Sequence, residues 1–83
     1  MYRNFKREFD ASIEVLSKEQ ITFSEIVNRY IANQKDFSGR IFQAYRDHVL
    51  TEGEFRTLYK YFSDKTERIA INHLNNAVKN ERP

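Results

Sequence analysis

The chain has 83 residues, 40% of them apolar and 31% charged, with a formal net charge of +2. That length gives one domain near the lower limit for a self-sufficient core, and the apolar content is too high for a disordered segment. The lack of cysteine excludes disulfides, thiolate metal sites and thiol nucleophiles, and no apolar run approaches the length of a membrane span.

From Tyr2 to Lys18 the apolar positions Tyr2, Phe5, Phe9, Ile13 and Leu16 recur at intervals of three or four, the pattern of one buried helical stripe. A first helix is expected over residues 2–18. The stretch Ile21-Thr22-Phe23-Ser24-Glu25-Ile26 then has the form of a helix start, with Thr22 as N-cap and Glu25 three residues on. It opens a second helix over 22–34 that buries Phe23, Ile26, Val27, Tyr30 and Ile31. Asn33-Gln34-Lys35-Asp36 weakens the pattern, and Asp36 is placed to cap a third helix over 37–50 that buries Ile41, Phe42, Tyr45 and Val49. Gly39 falls in the first turn of that helix, where a flexible residue costs less than in mid-helix.

Leu50-Thr51-Glu52-Gly53-Glu54-Phe55 is the most complete helix start in the chain. The Thr51 hydroxyl can accept from the backbone N–H of Glu54, the Glu54 carboxylate can accept from that of Thr51, and Leu50 and Phe55 have the spacing of a hydrophobic staple. The apolar phase then holds through Leu58, Tyr59, Phe62, Thr66, Ile69, Ala70, Leu74, Ala77 and Val78, with no Gly or Pro to stop it. This predicts one long helix over 52–80, with a kink near residue 63 as the alternative. Aromatic and aliphatic residues also recur every seven positions from Tyr2 to Phe37. However, Ser12, Glu19, Asn33 and Arg40 occupy companion positions that a coiled coil needs apolar, so the repeat belongs to successive bundle helices. Strand-like alternation is lacking. The expected fold is therefore all-α: a small antiparallel four-helix bundle, residues 1–83 forming a single domain.

Chemistry is sparse. His48 and Glu52 straddle the Thr51 cap, and His73 has no carboxylate in helical register, so neither a metal nor a cofactor is expected. Glu52 and Glu54 stand two apart and cannot face each other on a helix, while both suit its positive end. Tyr30, Tyr45 and Tyr59 lie in apolar stripes and read as core residues with the hydroxyl at the rim. With no glycine-rich phosphate loop and no nucleophile–base arrangement, the chain does not read as an enzyme.

Two binding readings remain. In the first, helices 22–34 and 37–50 form a helix-turn-helix that offers Arg40, Gln43 and Arg46 to a nucleic-acid groove. Opposite charges alternate along the chain, whereas duplex binding leans on a concentrated basic face, so this is the alternative. Phe42, Asp47-His48, Leu50, Glu52 and Leu58-Tyr59 also resemble part of the small Hha/YmoA-type nucleoid modulators. That resemblance implies an all-helical protein that binds a partner nucleoid protein. The sequence departs from the family at Tyr45-Arg46, where the family has Ala-Ala, and at Thr51, where it continues a helix.

The leading reading is a non-catalytic regulatory or adaptor module that binds another protein, or itself as a homodimer, through a helical surface. Seven Phe and five Tyr are more aromatic side chains than a small bundle buries, and aromatic residues are enriched at interfaces. The expected interface is the end of the last helix, at Thr66, Ile69, His73, Leu74, Ala77 and Val78, on the argument that residues beyond Thr66 outrun the shorter helices. The N-terminal residues lack the apolar core of a signal peptide, which makes the cytoplasm the expected compartment and excludes a membrane partner.

Overall fold

A computed structural model describes the backbone of residues 2–81 and the side chains of residues 2–79. It contains three α-helices: α1 (Tyr2–Ser17), α2 (Phe23–Arg46) and α3 (Glu52–Glu81). α2 and α3 form an antiparallel hairpin, shown by Tyr45 packing on Phe55 at one end and Tyr30 bonding to His73 toward the other. α1 lies along one side of the hairpin, antiparallel to α2 through Glu8–Arg40 and Ser12–Asn33, and reaches α3 through Asp10.

Among the described residues the chain is all-helical, with three helices where the sequence suggests four. The expected break at 33–36 does not occur; residues 22–34 and 37–50 are replaced by the single helix α2. No glycine or proline falls within residues 33–36, and the weak helix formers there cost only tenths of a kcal/mol each. Their side chains are also used elsewhere. Asn33 accepts a hydrogen bond from Ser12 of α1 at 2.6 Å, and Gln34 donates to Ser63 of α3 at 2.8 Å. Asp36 pairs with Arg40 one turn on at 3.0 Å, as a mid-helix residue does, instead of capping a new helix.

α2 ends at Arg46, four residues before the expected boundary. His48 adopts φ 61°, the left-handed conformation. The backbone N–H of Val49 bonds to the carbonyl of Ala44, and that of His48 to the carbonyl of Tyr45. This is a Schellman termination with histidine at the position usually held by glycine. The Thr51 start forms as expected: the Glu54 N–H donates to the Thr51 hydroxyl at 3.1 Å, and the Thr51 N–H to the Glu54 carboxylate at 3.0 Å. Leu50 is buried and Phe55 packs on the core. The matching start at Thr22 does not form its box, because the Thr22 side chain makes no cap bond and lies 3.3 Å from the Ser24 hydroxyl.

Phe9 is the hub of the core. It stacks on Phe62 of α3 at 4.3 Å between ring centres and meets Phe37 of α2 edge-on at 5.3 Å. Ile13 and Leu16 of α1, Ile26, Tyr30, Ile41 and Ala44 of α2 and Leu58 of α3 belong to the same buried cluster. The molecule is slender, 53 × 16 × 16 Å, with a radius of gyration of 14.3 Å where a compact chain of this length has about 12 Å. Among the described residues no helix is long and apolar enough to cross a membrane.

Candidate interaction face

α2 carries an apolar stripe too wide for the two neighbours it has. One half of the stripe, Ile26, Tyr30, Phe37, Ile41 and Ala44, is buried. The other half, Phe23, Val27, Ile31, Phe42 and Tyr45, is expected in the core from the sequence but is exposed. Val49 is exposed as well. The exposed half follows helical spacing along one side of α2, with Gln34 and Ser38 filling its intermediate turns. α1 contacts α2 through Asn33, Phe37 and Arg40, and the α1–α2 connection through Arg29, all on a different side.

α3 matches it. Phe55, Tyr59, Ser63, Ala70 and Leu74 continue the same face by helical spacing, flanked by Ile71 and Val78, while Thr66 lies buried beneath them. The two helices enclose a groove of about 420 Å³, lined at its apolar part by Val27, Ile31, Ala70, Ile71 and Leu74. At the turn end, Phe55 gathers Phe42, Tyr45 and Tyr59 around it with ring centres 6.2, 5.3 and 6.3 Å away. Ile31 is 58% and Ile71 49% exposed, whereas the opposite side of the hairpin lies under α1.

The interface residues expected on α3 fall into two sets. Thr66 is buried, and His73 is tied into the fold: its Nδ1 lies 2.9 Å from the Tyr30 hydroxyl and its Nε2 3.1 Å from the Glu19 carbonyl. Ile69 and Ala77 pack against the core. Leu74 and Val78 reach the open face, Leu74 half-buried in the groove and Val78 exposed. The premise that residues past Thr66 outrun their neighbours does not hold, because α2 is a full 24 residues long and the α1–α2 connection reaches His73. Sequence reasoning placed Val27 and Ile31 in the core and passed over Ile71. The available signal was the triplet Ile69-Ala70-Ile71, three adjacent apolar residues that no single helix face can bury.

Two polar clusters link the helices. The carbonyl of Glu19 can only accept, so His73 donates from Nε2 and its Nδ1 accepts from Tyr30. Burial, with the Glu19 charge nearby, pushes the Tyr30 hydroxyl up to about 12. Asp10 accepts from both Tyr61 and Lys65, at 2.5 and 2.7 Å. Burial alone would raise the Asp10 carboxyl, but the Lys65 and Tyr61 hydrogen bonds and the Lys65 and Lys6 charges outweigh it and hold the group below its ordinary value. No group of three or more His, Asp or Glu side chains is placed to hold a metal among the described residues.

The helix-turn-helix pair expected over 22–49 is not formed, since α2 is continuous. Arg40 is paired with Asp36 and, more loosely, with Glu8, and lies over the Phe37 ring. Gln43 donates to Asp47. Arg46, in the last turn of α2, is exposed. The chain matches no protein-family model, no curated protein and no solved structure.

Proposed function

We propose that this chain is a small, non-catalytic regulatory or adaptor module of the cytoplasm that binds a protein partner through the open face of the α2–α3 hairpin. The observation that carries the reading is the concentration of exposed Val27, Ile31, Phe42, Tyr45, Tyr59 and Ile71 on one side of two adjacent helices. Contiguous apolar patches rimmed by polar residues mark interaction sites. The groove runs along the helix axes, so an α-helix laid lengthwise is the shape it accepts, with apolar side chains at three- and four-residue spacing. The His73 and Asp10 clusters support the non-catalytic part, because their polar atoms are engaged in holding helices together.

The test is affinity capture from an extract of the native host, comparing wild type with the double variant Ile31→Asp, Ile71→Asp. Both residues are exposed, so the variant is expected to fold and to lose its partner. Val15→Asp, at an exposed apolar site on α1, is expected to retain it. Equal capture by the wild type and the double variant would rule out this face.

A further inference from the structure

We infer that the occupant of the open face is a second copy of this chain, bound antiparallel about a two-fold axis that passes near the Gln34–Ser63 hydrogen bond. The inference rests on the reading of that face as an interface and names its partner. Three observations point to self-pairing.

The first is that the face divides into two unlike halves of matching length. From Gln34, Val27 lies about 10 Å along α2 in one direction and Phe42 about 12 Å in the other; from Ser63, Ile71 lies about 12 Å one way on α3 and Phe55 about 12 Å the other. One half is the aliphatic groove and the other is the aromatic group around Phe55. A two-fold axis at the midpoint lays the aromatic half of each copy into the groove of the other, so one juxtaposition is made twice. This is the self-complementarity that an isologous dimer requires.

The second is charge. Glu67 borders the groove, close to the midpoint; seven residues back, at the same helical phase of α3 and toward the aromatic half, stands Lys60, whose only ion pair among the described residues is a loose one of 3.9 Å to Asp64. The same rotation sets Glu67 of each copy toward Lys60 of the other.

The third is area. The chain exposes 6025 Å², where a compact monomer of its 10.0 kDa mass exposes about 5,200 Å². The open face measures about 30 by 20 Å, and covering it on both copies removes on the order of 1,200 Å², the lower bound for a specific, stable interface. The paired hairpins would then form the four-helix core that one chain alone does not complete.

Sedimentation equilibrium on the full chain, from about 1 µM to about 1 mM, reads the association directly. A dimer is expected for the wild type and for Val15→Asp, and a monomer of unchanged helical circular dichroism for Ile31→Asp and for Ile71→Asp. Orientation is read by thiol cross-linking, which is clean because the chain has no cysteine. A mixture of Val27→Cys and Phe42→Cys chains should cross-link with a short bifunctional reagent, and each variant alone should not. A wild type that stays monomeric throughout, or a Val15→Asp variant that dissociates like Ile31→Asp, overturns the inference. So does cross-linking of Val27→Cys chains to each other. A monomer that still captures a partner through Ile31 and Ile71 overturns the self-pairing and leaves the module reading intact, whereas insensitivity to both residues in both assays removes the two together.

Discussion

The hydroxyl of Tyr30 on α2 donates to Nδ1 of His73 on α3 at 2.9 Å. That single bond ties the far end of the hairpin, and the other ring nitrogen carries the tie on to the Glu19 carbonyl between α1 and α2. Tyr30→Phe leaves the half-buried imidazole acceptor without its protein partner and is expected to cost about 1 kcal/mol in urea unfolding at neutral pH. The pH dependence has a definite sign. The Tyr30 hydroxyl rises from 10.0 to about 12 on folding, so its contribution is complete below pH 10 and lost as pH rises through 12. Unfolding curves between pH 9 and about 12 should fall less steeply for Tyr30→Phe than for wild type.

Asp10 works at the opposite end of the scale. Its folded carboxyl sits below the ordinary 3.8, so the stabilisation is present above that value and is lost as pH falls through the lowered one. Asp10→Asn is expected to cost about 1 kcal/mol at pH 7, a modest figure because the carboxylate is 37% exposed and partly screened. Acid titration of stability should show a shallower loss in the variant than in wild type.

The two helix starts can be separated by one substitution each. Thr51 makes both bonds of its box, and Thr51→Ala should lower stability by about 1 kcal/mol. Thr22 makes no cap bond, so Thr22→Ala should lower the stability measured by urea unfolding by less than about half that amount. Equal losses would mean that Thr22 caps α2 in solution.

Gly39 tests the continuity of α2. In the first turn of a separate helix its replacement would change little, whereas in mid-helix Gly39→Ala should stabilise by about 1 kcal/mol. A methyl group there meets nothing within 4 Å, so no steric term opposes the gain. Thermal unfolding of the variant should shift upward by roughly 4–8 °C.

Much of this architecture is legible in the sequence. The stripe from Tyr2 to Leu16, the Thr51 start and the unbroken phase of the last helix each rest on local rules, and the structure reproduces all three. The union of two expected helices into α2 was not legible, because what keeps Asn33 and Gln34 helical is a pair of partners, Ser12 and Ser63, distant in sequence. The open face was hidden for a related reason. Hydrophobic periodicity shows that Val27 and Ile31 lie beside Ile26 and Tyr30, but only the position of α1 decides which pair is covered. Within the expected C-terminal interface, Thr66 and His73 turned inward for want of the same information.

The turn built around His48 also bears on how quickly the chain reaches this structure. Its two Schellman bonds and the Thr51 box bring α2 and α3 together across a few residues, so contacts can close outward from the turn without a long loop first being ordered. Helical proteins dominated by such near-neighbour contacts fold in microseconds to milliseconds. The transition state is then expected to hold Leu50 and Phe55 in near-native contact while α1 is still loose. Truncations at Leu50 should slow folding, and those at Ile13 should chiefly speed unfolding.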